Sequence, residues 1–309
     1  MITILENIPL APLTSFRVGG SALYYVEIKS VEELKEALQF ADKNEIDFYV
    51  LGGGSNLLIS DDGFKGLIIR MKMSEITVDG LALEVGAGVP LIKLINTAGV
   101  KGLSGIEFLA GIPGTVGGAV RGNAGAYGVE ICSSVKTVRA YDCEKGEIII
   151  FENSECDFSY RSSIFKKNKN LIVLSTTLEL ATGKISEVQA KTKDIIVKRA
   201  SMGLHGVKSA GSFFMNPTVI NEKLKKDFAL EKGVESRNDK LPAGWIIEQA
   251  GLRGKKIGGA AVCELHANYI INADNATSDD LMILISYVKQ QVRDQFGIQL
   301  LEEVNYLGF

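Results

Sequence analysis

The sequence predicts an α+β protein built in three parts, and three patterns predict it. Over residues 20–71 a strand, a capped amphipathic helix and two further apolar runs make a β-α-β unit. Residues 72–180 then carry short strands and turns with one short helix, which is not the regular alternation of a doubly wound sheet. The last third mixes strand-like runs with capped helices. The parts run over residues 1–71, 72–200 and 201–296, and 297–309 is expected to return to the first part as a final strand. A chain of 309 residues has room for two or three such domains.

In chain order, short apolar runs up to Ile28 flank the turn Thr14-Ser15-Phe16-Arg17-Val18-Gly19-Gly20 and read as strands. Ser30 and Glu33 have the spacing of a capping box, and Val31, Leu34, Ala37, Leu38 and Ala41 recur on one helical face. Asp47 to Leu51 and Leu67 to Met71 are the next strands. Leu81 to Val85 alternates, and Pro90 opens a helix to about Ala98. Val135 to Tyr141 and Glu147 to Phe151 form a hairpin turning through Cys143 to Gly146, and Leu171 to Leu180 is a long strand. Ser186 caps a helix to about Ala200, and Ser201 to Ser209 is rich in turns. Pro242 opens a helix to Ala250, and Val262 and Asn268 to Asn272 read as strands. Thr277 or Ser278 caps a helix to Phe296 that Gly297 stops, and Gln299 to Leu307 is the last strand.

The chain is organised around Gly102 to Gly128, where nine of twenty-seven residues are glycine. Such density weakens helix and strand alike, but it suits backbone that turns with positive φ or lies directly against a ligand. A solvated linker would not carry Ile106, Phe108, Leu109, Ile112 and Val116. A second cluster, Gly52-Gly53-Gly54-Ser55-Asn56, leaves the end of an apolar run, where α/β folds collect ligands. Neither cluster has the G-x-G-x-x-G or the G-x-x-x-x-G-K-[ST] spacing. Two such loops point to a large phosphate-bearing cofactor held by other means.

Composition excludes several classes. A net charge of −3 gives no electrostatic case for nucleic acid. Cys132, Cys143, Cys156 and Cys263 form no C-x-x-C pair, and with only two histidines they argue against a metal site. Glu6 stands where a signal peptide would want a cation, and no apolar run approaches membrane-spanning length, so a cytoplasmic protein without membrane insertion is expected, as a monomer or weak oligomer.

The Thr14–Gly20 turn, the Gly-Gly-Gly-Ser-Asn loop and Gly111-Ile112-Pro113-Gly114-Thr115-Val116-Gly117-Gly118-Ala119, in that order, resemble the UDP-N-acetylenolpyruvoylglucosamine reductases, flavin enzymes of bacterial peptidoglycan precursor synthesis. The resemblance extends over essentially the whole chain. It implies a two-domain FAD-binding module of the PCMH type followed by an α+β substrate-binding domain. It implies non-covalent FAD, NADPH as hydride donor, and reduction of the enolpyruvyl group of a UDP-sugar to UDP-N-acetylmuramate. The enzyme rival is an oxidase of the same broad fold, a class that often tethers flavin through His or Cys, but no His lies in these loops. The non-enzyme rival is a nucleotide-binding scaffold that has lost the chemistry.

The resemblance also implies roles for residues. Flavin contacts fall on Gly52, Gly53, Gly54, Ser55, Asn56, Gly111, Ile112, Pro113, Gly114, Gly117, Gly118, Ala119 and Asn123. Ser212, in Ala210-Gly211-Ser212-Phe213-Phe214, matches the proton donor, although on residues alone it also reads as a turn serine bonded to its own backbone. Arg161 matches the catalytic arginine, and a guanidinium can fork onto a carboxylate; a surface salt bridge is the plainer reading. Glu303 matches the functional acid, with Glu302 as its exposed neighbour on the other strand face. Tyr160, Asn216 and His266 match substrate contacts. Met215 stands where a basic residue is expected, with Lys208 and Arg253 as replacements, and the tyrosine-free passage from Lys198 to Ser212 matches the shorter form of the family.

Overall fold

The computed structural model describes residues 2–236 and 238–309, which divide into two compact units. The first holds the segment ending at Ile8, Ala22–Gly54 and Lys65–His205; the second holds Pro9–Ser21, Ser55–Phe64 and Gly206–Phe309.

The first unit has two larger sheets and two short two-stranded ribbons among the described residues. One is ordered Leu5–Pro9, Ser21–Ile28, Phe64–Met71, Phe48–Leu51, with the last two strands parallel. Helix Val31–Lys43 buries Leu34, Ala37 and Ala41, the face that the sequence marked. Its capping box is half closed: Ser30 Oγ accepts from the Glu33 amide at 3.2 Å, while the Glu33 carboxylate turns back to the Lys29 amide. The second sheet is antiparallel throughout, in the order Glu147–Glu152, Val135–Asp142, Leu171–Glu179, Ala82–Gly86, Ile76–Asp79. The Asp142 carboxylate accepts from the Glu144 and Lys145 amides and so shapes the hairpin turn, where Gly146 takes φ +71°. Helix Ile185–Ala200 has its cap position two residues before the expected Ser186: Lys184 stands there and no side chain caps the helix. One apolar cluster joins Leu67 and Ile69 of the first sheet to Val85, Val138 and Leu174 of the second. Residues 1–71 and 72–200, read from sequence as separate parts, thus mostly share a single core.

The second unit is built on the antiparallel sheet Ser209–Ser212, Tyr269–Asn272, Ala260–Val262, Lys256–Ile257. Helix Ala243–Gln249 follows Pro242, and helix Ser278–Phe296 is capped by Thr277, with Asp280 closing the box and Gly297 ending it at φ +68°. Helix Glu222–Lys232, which the sequence reading lacked, is capped by the Asn221 side chain on the Leu224 amide. The last strand is shorter than expected. Only Asn305–Leu307 is regular, running parallel to Leu57–Ile59, while Glu302 makes an isolated bridge to Phe214. The Thr14–Gly20 turn belongs here: Phe16 is fully buried against Phe213, and Asn272 Nδ2 donates to the Phe16 carbonyl. Among the described residues no helix is long and apolar enough to cross a membrane.

Candidate active site

The two glycine stretches meet in the first unit. The chain leaves strand Phe48–Leu51 through Gly52, Gly53 and Gly54, the last at φ +66°. A β-carbon on Gly53 would lie 2.6 Å from the Gly114 α-carbon, and one on Gly52 would lie 2.8 Å from Thr115 Oγ1. Only glycine lets the loops touch backbone to backbone at such spacing. Gly117 is equally confined, its β-carbon position 2.7 Å from that of Ala87.

The loops differ in the amides they leave for a ligand. Val116 and Gly117 donate to the Val89 and Ala87 carbonyls, and Gly118 and Ala119 donate to Thr115. These bonds dock the short helix Val116–Arg121, which Thr115 caps. Ala119 is buried in the core, and Ile112 packs against it. By contrast, the Gly52, Gly53 and Gly54 amides have no acceptor within the chain among the described residues. The glycine cradle and these three donors fit a diphosphate-bearing group. Gly111, at φ +76°, lies under Arg199, whose guanidinium rides over Tyr127 at 5.7 Å. The sequence reading passed over this cation because it sits near a helix end, eighty-eight residues from the glycine it covers.

Asn123, expected to contact the flavin, has its side chain engaged within the protein. It is fully buried; its amide donates to Glu130 Oε2 at 2.9 Å and to the Ser159 carbonyl at 3.0 Å, and its oxygen accepts from the Cys132 amide at 3.3 Å. Both N–H donors are spent inside the protein. Ser159 and Ser162 exchange backbone bonds, which puts Tyr160 and Arg161 at the tip of a tight turn, Arg161 at φ +57°. Arg161 Nη2 donates to the Gly125 carbonyl at 3.1 Å, and its guanidinium lies 5.2 Å from the Tyr160 ring centre.

The second unit gathers the other candidates. Gly211, at φ +78°, bulges the strand just before Ser212. The half-buried Ser212 hydroxyl has no hydrogen-bond partner among the described residues, so the turn-serine reading fails. The chain beyond it runs beside residues 301–303: the Glu303 amide donates to the Phe213 carbonyl at 2.8 Å, and the Met215 amide to the Leu301 carbonyl at 2.9 Å. Glu302 is not the exposed neighbour that was expected. It is held by Lys289 at 2.7 Å, its side chain 21% exposed, and strand alternation sends Glu303 to the other side. Asn56 Nδ2 donates to the Glu303 carbonyl at 3.1 Å, and Ser55 lies in the same unit.

Asn268, which carried no assigned role in the sequence reading, holds this arrangement. Its side chain accepts from the Phe214 amide at 3.0 Å and donates to the Phe214 carbonyl at 2.9 Å, and its carbonyl takes the Phe213 amide at 2.7 Å. An asparagine two residues after His266, at the head of an apolar run, is the signal that could have found it. The Asn268 amide donates to His266 Nδ1 at 3.3 Å, which fixes the neutral ring with its proton on Nε2. Burial holds the His266 pKa below its ordinary value. Asn216 Oδ1 accepts from the Ala243 amide at 3.0 Å, and the next residue, Gly244, packs on His266 Cε1. Asn216 and His266 thus flank one helix start. Of the two cations offered in place of a basic residue at position 215, Arg253 is committed to Glu248 at 2.7 Å and to the Glu264 carbonyl, whereas exposed Lys208 has no side-chain partner among the described residues. All four cysteines are free thiols, and burial with nearby carboxylates pushes Cys143 up to about 11 and Cys156 to about 12.

Comparison with known proteins accounts for both units. A profile described as "FAD binding domain" matches residues 22–152, and one described as "UDP-N-acetylenolpyruvoylglucosamine reductase, C-terminal domain" matches residues 203–307. The UDP-N-acetylenolpyruvoylglucosamine reductase of Solibacter usitatus is 38% identical over 99% of this chain and 97% of its own length. That of Carboxydothermus hydrogenoformans is 40% identical over 99% and 94%. The crystal structure of the Thermus caldophilus reductase superposes with a TM-score of 0.76 at 31% identity, covering 99% of both chains. Matched at both ends and along its length, the chain belongs to the UDP-N-acetylenolpyruvoylglucosamine reductase family.

Proposed function

We propose that the chain is an NADPH-dependent reductase that converts the enolpyruvyl ether of UDP-N-acetylglucosamine enolpyruvate to the lactyl ether of UDP-N-acetylmuramate. The Gly52–Gly54 amides and the Gly111–Gly118 backbone would hold FAD, with its diphosphate on the free amides. FAD held there would supply the redox chemistry, hydride transfer between NADPH and the vinyl methylene carbon.

The chain's own residues handle the charge and the proton. Hydride addition leaves a pair of electrons on the carbon beside the carboxylate, and that carbon must be protonated. Ser212 donates the proton. A serine hydroxyl is a weak acid, but an enolate-like carbon is basic enough to take its proton when the hydroxyl is not engaged elsewhere. Arg161 balances the negative charge that spreads onto the carboxylate. Glu303 is the acid that completes the set, and His266, as a neutral Nε2–H donor, contacts substrate with Tyr160 and Asn216. Lys208 supplies the cation that Met215 lacks, and the open, tyrosine-free passage before Ser212 fits the shorter form of the family.

The observation that carries this reading is Ser212, a hydroxyl without a protein partner on a strand laddered to the Glu303 segment. Ser212→Ala tests it. Bleaching of the flavin by NADPH is expected to survive, while recovery of the colour with enolpyruvyl substrate slows by several orders of magnitude. Unchanged recovery would remove the serine from the mechanism.

A further inference from the structure

The Tyr160–Arg161 turn is pinned to the glycine-rich stretch by three bonds, all within the first unit. The Asn123 amide holds the Ser159 carbonyl at 3.0 Å, before the turn. Ser163 Oγ, fully buried, donates to the Arg121 carbonyl at 2.7 Å, after the turn. Between them Arg161 Nη2 donates to the Gly125 carbonyl at 3.1 Å. Asn123 is itself locked. Glu130 Oε2 takes its other N–H, and Glu130 pairs with Gly125 across a two-stranded ribbon. These three anchors all lie within residues 121–130, and Lys166 Nζ adds a further hold by donating to the Arg161 carbonyl at 3.0 Å.

We propose that Asn123 and Ser163 are positioning residues for Arg161, and that Asn123 serves the reaction through this brace rather than by touching the flavin. The inference rests on the catalytic role given to Arg161 under Proposed function. Arg161 sits in the left-handed region, which a residue other than glycine rarely adopts unless its surroundings hold it there. A guanidinium that must fork onto a carboxylate tolerates little displacement, because a shift of about 1 Å in a reacting constellation can cost roughly a hundredfold in rate. The chemistry of the brace fits the task. An amide supplies two donors without a charge of its own, so it holds the turn against the Glu130 carboxylate without adding a cation beside Arg161 and Lys166, whose ammonium donates to the Arg161 carbonyl at 3.0 Å.

The test compares the two half-reactions by rapid mixing of FAD-saturated protein. For Asn123→Ala, reduction by NADPH is expected to change by less than about threefold, while reoxidation by the enolpyruvyl UDP-sugar falls roughly 10- to 100-fold. In an Arg161→Ala background the same substitution is expected to cost less than about twofold more, because the group it positions is gone. A second readout needs no turnover. Calorimetric titration of the oxidised holoenzyme should show weakened binding of the carboxylate-bearing substrate and unchanged binding of UDP-N-acetylglucosamine, which has no carboxylate. Ser163→Ala carries the same expectations and removes only one hydroxyl, so it serves if Asn123→Ala does not fold. Equal slowing of both half-reactions, or a full loss that persists without Arg161, would overturn the inference. If Arg161→Ala alone leaves reoxidation unchanged, the role of Arg161 itself falls, and the brace with it.

Discussion

Replacing Asn268 with leucine isolates the clamp on the serine strand. Leucine has nearly the shape of asparagine, so no large cavity opens, but it can neither accept from the Phe214 amide nor donate to the Phe214 carbonyl. Those two bonds are 3.0 and 2.9 Å long, and Phe214 is 1% exposed, so water cannot replace them. A buried polar group left without a partner costs about 1–3 kcal/mol, and two of them give a loss of roughly 4 kcal/mol. Urea unfolding followed by far-ultraviolet circular dichroism should therefore move to a markedly lower midpoint. The functional signature is separable. Ser212 lies two residues from the orphaned groups, whereas the glycine loops are in the other unit, so flavin bleaching by NADPH should persist while reoxidation by substrate is lost. A stability loss below about 1 kcal/mol would mean that Phe214 finds other partners, and the clamp would not be what sets the position of Ser212.

Two further outcomes follow from the site. Gly53→Ala puts a β-carbon 2.6 Å from the Gly114 α-carbon, so the two loops must part; FAD affinity, read by quenching of flavin fluorescence, should fall roughly 10- to 100-fold, as expected for about 1–3 kcal/mol of overpacking, and unchanged affinity would show that the loops need not touch. His266 has a folded-state pKa below its ordinary 6.5, so the unfolded chain takes the proton first; its contribution to stability is present above 6.5 and lost as pH falls through the window below it, and His266→Gln should flatten the stability profile there but not above pH 7.

Much of the fold was legible because its signals are local. The Ser30 and Thr277 caps, Pro90 and Pro242 at helix starts, Gly297 at a helix end and the hairpin through Gly146 each depend on a few neighbouring residues. The division of the chain was less legible. Pro9–Ser21 and Ser55–Phe64 leave the surrounding unit and join the C-terminal third, a choice made by long-range burial of Phe16, Val18 and Leu58 with Phe213 and Leu300. Nothing within a short window reveals that. Glu302 misled for a similar reason: strand alternation separated it from Glu303, but Lys289, thirteen residues away on a helix, decides that it is paired rather than exposed. Helix Glu222–Lys232 escaped because its apolar face is reduced to Leu224 and Phe228.

The asparagines show where sequence reasoning about a site and the physics of that site diverge. Asn56, Asn123 and Asn216 were all read as ligand contacts, yet each spends side-chain bonds on backbone: the Glu303 carbonyl, the Ser159 carbonyl and the Ala243 amide. Asn268 does the same to Phe214 from a position with no assigned role. Irregular backbone cannot satisfy itself as helices and ladders do, so segments that present Arg161, Ser212 and Glu303 need partners from elsewhere. A carboxylate or ammonium could serve, but its charge would alter the local field around the residues it held. The neutral amide offers donor and acceptor together and adds no charge to those segments. A motif asparagine beside irregular catalytic backbone is thus as well explained by holding the chain as by touching the ligand, and the two roles separate only when both of its N–H groups are traced to their acceptors.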